Sequence, residues 1–324
     1  MPHSKPTLGL ALSGGGIRGL AHIGVLEALE AAQIPVHTIA GSSMGGIIGA
    51  LYAAGVSPSA LREAAIKANI LDFATPDLHG RGLIGQRKFQ SFLTALLGRE
   101  DLTFADLRIP AVLTATDLES GALVLLREGP LVPALLATSA FPLVFPPVHH
   151  QGRWLVDGGT LNNFPCDVAR MMGADRVIGV DTPIRIQFEL HKPTEEHPRL
   201  SLRSFLPLNV RSFDWKQPIL IAEGAVGHTL DVLNQARVRC CPPDLLINVD
   251  LPNTSTFLVD SSEHERIINV GHAEAQRVLT ELRRLRDRPL PPKWRQLWGR
   301  FVRRLRRARA AYRAPDFECF PPSG

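Results

Sequence analysis

The stretch Gly41-Ser42-Ser43-Met44-Gly45 stands between an apolar run, Val36-His37-Thr38-Ile39-Ala40, and a segment of small and apolar residues, Gly46-Ile47-Ile48-Gly49-Ala50-Leu51-Tyr52-Ala53-Ala54. The run before it reads as a short strand and the segment after it as a helix. A G-x-S-x-G between strand and helix is a nucleophile elbow. The turn leaves no room for side chains at Gly41 and Gly45. It holds Ser43 in a sparsely populated backbone conformation, with the hydroxyl standing out at the carboxyl edge of a sheet. The helix behind it aims its N-terminal amides at the same point.

Upstream, Leu8-Gly9-Leu10-Ala11-Leu12 suits a buried parallel strand. Gly14-Gly15-Gly16-Ile17-Arg18-Gly19 follows, and Leu20 to Ala32 reads as a mostly buried helix. Strand, glycine turn, helix and the strand leading to Ser43 form a β-α-β unit, which predicts a parallel sheet in an α/β fold. The glycine turn has three readings. Gly14, Gly16 and Gly19 fit G-x-G-x-x-G, but a dinucleotide fingerprint expects an acid at the end of the second strand, where Gly41, Ser42 and Ser43 stand. The second reading is an oxyanion hole, in which backbone amides approach a reacting carbonyl beside a helix N-terminus. An elbow serine on the next strand favours it. The third is a turn needed only for packing.

A chain of 324 residues, 45% hydrophobic and 21% charged, is that of a globular protein of one large or two small domains. Cys166, Cys240, Cys241 and Cys319 show no paired spacing, so neither a disulfide framework nor a zinc site is expected, and a reducing compartment is. Met1 to Thr7 lacks the apolar core of a signal peptide. The most apolar long window, Leu131 to Val148, holds Pro133, Pro142, Pro146 and Pro147, which argues against a spanning helix. The net charge of +5 is unevenly spread. Between Arg283 and Arg313 thirteen Lys and Arg face the single acid Asp287, a net of +12, so the rest of the chain carries −7.

Pro58 to Asn69 and Gln86 to Leu97 are expected as helices, joined by a loop-like Phe73 to Gly85 with Gly80, Gly82 and Gly85 as hinges. Ala111 to Thr116 and Ala122 to Leu126 read as a hairpin, and Leu131 to Ser139 as a short helix. The apolar, proline-rich Ala140 to Pro147 fits the wall of an acyl pocket. Arg153 to Val156 reads as a strand delivering Asp157, followed by Gly158 and Gly159, to a strand edge like that of Ser43. Beyond it come a helix at Phe164 to Met172, a strand at Arg176 to Val180, an irregular excursion at Arg185 to Gln217, a helix at Ile219 to Arg239, a strand at Leu245 to Val249 and one helix at Glu263 to Arg286.

A serine needs a base, and His228, His264 and His272 lie late enough for a Ser…Asp…His order, although each falls within an expected helix. Four blocks in order, Gly14 to Gly19, Gly41 to Gly45, Ala137 to Val148 and Asp157-Gly158-Gly159, make the first half of the chain similar to the patatin-like phospholipases, closest to their bacterial members. The resemblance implies a three-layer α/β/α fold with a mainly parallel central sheet. It also implies lipid acyl hydrolysis by a Ser–Asp dyad without histidine, and no metal or cofactor. Carried over by position, Ser43 is the nucleophile and Asp157 the base. The amides of Gly15, Gly16 and Ile17 form the oxyanion hole, and Arg18 has a structural role. A thioesterase or small-ester esterase is the alternative within the same chemistry. A non-catalytic membrane-associated regulator is the alternative outside it.

The expected hydrolase domain covers 1–288, and 289–324 is a basic tail. In that tail Trp294, Leu297, Trp298, Phe301, Val302, Leu305, Ala308 and Tyr312 recur at helical spacing, with arginines over much of the remainder. A basic helix with such a stripe suits an anionic membrane surface. Packing on the body or binding nucleic acid through the arginines would use the same pattern, and a lipid substrate favours the membrane. A cytoplasmic protein, peripheral on the inner face of the membrane and with no nucleic-acid partner, is the expectation.

Overall fold

The computed structural model describes residues 5–68, 73, 85–142, 144–183, 216–252, 254 and 262–290, with side chains in the last long helix described from 224 onward. The expected hinges at Gly80 and Gly82, residue Leu143, the excursion up to residue 215 and the basic stripe from Trp294 lie outside the described residues. Thr7–Arg286 forms one compact unit, and Met1–Pro6 with Asp287–Gly324 forms a second.

The fold is mixed α/β, with eight strands in one central sheet among the described residues. Its parallel part runs β3 (Ala111–Asp117), β2 (Thr38–Gly41), β1 (Leu8–Leu12), β7 (Arg176–Asp181), β8 (Leu245–Asn248). β4 (Leu123–Leu126), β6 (Arg153–Asp157) and β5 (Val148–His150) add antiparallel partners beyond β3. β1 and β3 are buried along their whole length, as continuous apolar runs covered on both faces should be.

Alternation along the strands sorts the core into two layers. Leu10, Leu12, Ile39, Leu113, Ile178 and Val180 face one side. There they join side chains of α1 (Ala21–Ala31), α2 (Ser43–Ala53), α3 (Pro58–Lys67), α4 (Arg87–Leu97), α5 (Leu131–Thr138) and α9 (Ser262–Arg277). Ala11, Ala40, Val112 and Val177 face the other side and pack on Phe164 and on α7 (Cys166–Met171). Between β6 and α7 lies one turn, α6 (Gly159–Asn162). α8 (Lys216–Cys240) is tied there by Arg237, whose Nε donates to Leu161 O at 2.8 Å and whose guanidinium pairs with Asp167.

Strand register positions the site. Leu113 pairs with Gly41 of β2 and with Leu126 of β4, and Thr116 pairs with Val156 of β6 and with Leu123 of β4. β4 therefore occupies one edge of β3, while β2 and β6 share the other, end to end. β2 rises along that edge and stops at Gly41, level with Leu113; β6 descends along it and stops at Asp157, level with Ala115. The two carboxyl ends face each other across two residues of β3, about 7 Å.

β6 reaches the site from the opposite direction to β2. Two expectations need correction. The helix expected at Glu263 to Arg286 is two, α9 and α10 (Leu279–Asp287), broken at Val278, where neither glycine nor proline marks a stop. The long helix after the excursion begins at Lys216 rather than Ile219.

Candidate active site

The elbow forms as the glycine spacing requires. α2 begins at Ser43 itself, directly after β2 and Ser42. Ser43 has φ +50°, a conformation that side chains rarely adopt and that costs about 1–3 kcal/mol unless its surroundings impose it. The surroundings do: the Ser43 amide donates to Thr138 Oγ1 at 3.1 Å, and that hydroxyl donates to Thr114 O at 2.6 Å. Gly45 lies against the carbonyls of Leu12 and Ser13, where any side chain would collide. Beneath Ser13, the wholly buried His22 places Nε2 2.8 Å from the same carbonyl; burial pushes its pKa down to about 4, so the ring is neutral near pH 7.

Ser43 Oγ donates to Asp157 Oδ2 at 2.6 Å. Asp157 is 2% exposed, and its other oxygen accepts the Gly159 amide at 2.7 Å. Burial drives its pKa up to about 6, against the opposing pull of the hydrogen bonds from Ser43 and Gly159. Gly158 lies on the Thr114 backbone, and a side chain there would displace Asp157 from β3. None of the three histidines considered as bases is bonded to Ser43. His228 is exposed on α8, His272 is half-buried on α9, and His264 is buried with Nδ1 2.8 Å from Ala65 O.

Gly14 and Gly15 lead from β1 into a 3-10 turn, Gly16–Leu20, and α1 follows directly. The amides of Gly15, Gly16 and Ile17 make no hydrogen bond among the described residues, and these three residues line one cavity with Ser43 and Asp157. Gly19 packs on Met44, next to Ser43. Arg18 does not line the cavity and is fully buried; its guanidinium donates to Thr254 O at 2.6 Å and to Pro183 O, holding the chain beyond β8 and β7.

Asn163 is a residue that the motif reading missed. Its carbonyl accepts the Gly14 amide at 3.0 Å, and its Nδ2 donates to Gly14 O at 3.3 Å. It thereby clamps the glycine turn from a position six residues after Asp157. Its only sequence signal was an asparagine in the turn that follows Asp157-Gly158-Gly159.

The cavity holds about 150 Å³. Phe89, Phe92, Phe141 and Phe145 also line it, with the rings of Phe89 and Phe145 stacked at 6.1 Å. The apolar block around Phe141 and Phe145 is thus part of the pocket wall.

Residues 10–170 match the family described as Patatin-like phospholipase, and this part of the chain belongs to that family. Patatin-like phospholipase domain-containing protein 6 of Homo sapiens is 34% identical over 186 residues, 54% of this chain and 13% of that protein. An uncharacterized NTE family protein of Mycobacterium tuberculosis is 35% identical over 179 residues, 55% of this chain and 49% of that protein. The matches thus span half or less of these relatives. Among solved structures, VipD from Legionella pneumophila superposes with a TM-score of 0.55 at 14% identity, covering 86% of this chain and 67% of that one, which shows a shared fold.

Proposed function

We propose that the chain is a lipid acyl hydrolase that cleaves carboxylic esters through an acyl-serine intermediate. The observation that carries this reading is the 2.6 Å bond from Ser43 to the buried Asp157, both lining an apolar cavity. Ser43 Oγ attacks the ester carbonyl carbon as its proton passes to Asp157 Oδ2. The oxyanion is met by the amides of Gly15, Gly16 and Ile17. Collapse breaks the ester bond, and Asp157 returns the proton to the leaving alcohol. A water, deprotonated by Asp157, then releases the acid and regenerates Ser43.

An aspartate is ordinarily too weak a base for an alcohol. Its elevated pKa narrows that gap, and the oxyanion donors must supply the rest; losing one such donor typically costs 10²–10³ in rate. In this reading residues 1–288 form the hydrolase, and the basic tail carries it to anionic membrane. Among the described residues no helix is long and apolar enough to cross a membrane.

The test joins fluorophosphonate labelling to a lipid panel with product masses. A covalent adduct on Ser43, with fatty acid released from lipid by the wild type but not by Ser43→Ala or Asp157→Asn, is expected. A protein that takes up no label and releases no acid is a non-catalytic relative.

A further inference from the structure

Each peptide group of the glycine turn has an N–H and a C=O to place. Ser13 O accepts from His22 Nε2 at 2.8 Å, and the Gly14 amide donates to Asn163 O at 3.0 Å, so the group between Ser13 and Gly14 is held at both ends. In the next group Gly14 O takes two donors, Asn163 Nδ2 and Thr182 Oγ1, each at 3.3 Å. A carbonyl oxygen has two lone pairs, and here both are used. In the group after that, Gly15 O accepts the Arg18 amide at 3.2 Å. The amides of Gly15 and Gly16 bond to nothing among the described residues. A trans peptide group is planar, so each of these amides lies on the side opposite its held oxygen. Gly15 and Gly16 line the cavity with Ser43 and Asp157.

Thr182 reaches this turn from 168 residues away and lies beyond the stretch, residues 10–170, that matches the family. It follows β7 directly, as Ser13 follows β1. Leu12 pairs with Val180, which sets the two side chains next to each other, and both are fully buried. The Thr182 amide donates to Ser13 Oγ at 2.9 Å, and the two hydroxyl oxygens are 3.3 Å apart. One assignment pairs every donor of the two residues' side chains: Ser13 O–H to Thr182 Oγ1, and Thr182 O–H to Gly14 O. Buried polar chains that are fully paired rigidify the groups they join. The Thr182 hydroxyl also lies over Gly15, where a Cβ would fall 2.5 Å from it.

We propose that Thr182, backed by Ser13, is a positioning residue for ester hydrolysis. Its hydroxyl pins the Gly14 carbonyl and, through the planar peptide group, presents the Gly15 amide to the oxyanion. The proposal rests on the acyl-hydrolase reading and adds to it a residue outside the motifs.

Thr182→Val keeps the side-chain shape and removes the hydroxyl, whereas Thr182→Ser keeps the hydroxyl. On a soluble chromogenic ester, Thr182→Val should lower kcat about 10-fold with KM held within about twofold, because a displaced oxyanion donor is missed most in the transition state. Thr182→Ser should recover most of the rate. An alkyl trifluoromethyl ketone separates positioning from pocket shape. Ser43 Oγ adds to its carbonyl carbon, the proton passes to Asp157, and an oxyanion is left. Affinity for the ketone should fall in step with kcat, while affinity for the matching alkyl alcohol, which has no carbonyl, should hold. Wild-type kcat in Thr182→Val, a rise in KM at constant kcat, or equal losses in Thr182→Ser and Thr182→Val overturns the proposal. So does parallel loss of ketone and alcohol binding.

Should Thr182→Val not fold, Ser13→Ala and the wild type carry the test. Ser13→Ala should lower kcat several-fold at unchanged KM. In ¹⁵N-labelled wild type, the Gly15 amide proton should move downfield as the ketone adduct forms. A Gly15 amide unmoved by the adduct, or wild-type kcat in Ser13→Ala, overturns the assignment. Turnover with a Ser43 adduct but no effect of these substitutions removes only this proposal, whereas no turnover and no adduct removes the hydrolase reading and this one with it.

Discussion

Gly24 of α1 and Gly271 of α9 bring their helices together backbone to backbone: a Cβ on either glycine would fall on a carbonyl of the other helix, Ile268 O in one case and Ala21 O in the other. These obstacles are main chain and cannot rotate away. Gly24→Ala and Gly271→Ala should each destabilise the fold by about 1–3 kcal/mol through overpacking, read as a melting temperature lower by several degrees. α1 begins directly after the 3-10 turn at Gly16–Leu20, so ester turnover should fall as well. Unchanged melting would mean that the helices separate without cost.

Asp157 sets a pH dependence of defined sign. Its folded pKa of about 6 lies above its ordinary 3.8. Between those values the native state holds the proton more tightly than the unfolded chain, so stability from this group falls as pH rises through that window. Above about pH 6 the full penalty of about 3 kcal/mol is present. Asp157→Asn should therefore melt higher than the wild type at pH 8 and lose that advantage by pH 4, while hydrolysis is abolished. Wild-type kcat/KM should rise with pH to a plateau above about 6. Near-normal turnover by Asp157→Asn would falsify the dyad.

Asn163 tests the clamp on the glycine turn. Asn163→Ala removes the side-chain bond to Gly14 O but keeps the backbone bond. The fold should survive. Turnover should drop about 10- to 100-fold with KM little changed, because donors displaced from the oxyanion matter most in the transition state. An increase in KM at constant kcat would place Asn163 in substrate binding instead.

The tail can be tested without reference to its structure. Deleting Pro292 to Gly324 should weaken sedimentation with anionic vesicles and slow hydrolysis of vesicle lipid, both most clearly at low salt. Cleavage of a soluble short-chain ester should hold. Replacing Trp298 and Phe301 by alanine should reproduce much of the loss at constant charge. Equal sedimentation of full and truncated chains at low salt ends the membrane reading, and parallel loss of stability and of both activities indicates packing on the body.

The elbow, the glycine turn and Asp157-Gly158-Gly159 are legible because each depends on a local steric demand that only glycine meets, and their strand and helix neighbours follow from hydrophobic period. What the sequence hides is long-range. Thr138 supports an amide 95 residues away, and Asn163 holds a glycine 149 residues away. Neither residue type is unusual in its own segment. Strand direction is equally invisible, since Arg153 to Asp157 has the same local pattern whether it runs with β3 or against it. His264 was weighed as a base, yet its Nδ1 is held by the Ala65 carbonyl on α3 and it makes no bond to Ser43.

The meeting of β2 and β6 on one edge of β3 also bears on when reactivity arises. Residues through β3 carry the serine and the glycine turn, but Thr138 and Asn163, which hold them, come later, and the acid arrives 114 positions after the serine, on a strand that runs against β3. In the proposed mechanism, a fragment ending before Arg153 would hold the serine without the group that takes its proton. In that reading, the pairing of one short strand with β3 completes the dyad.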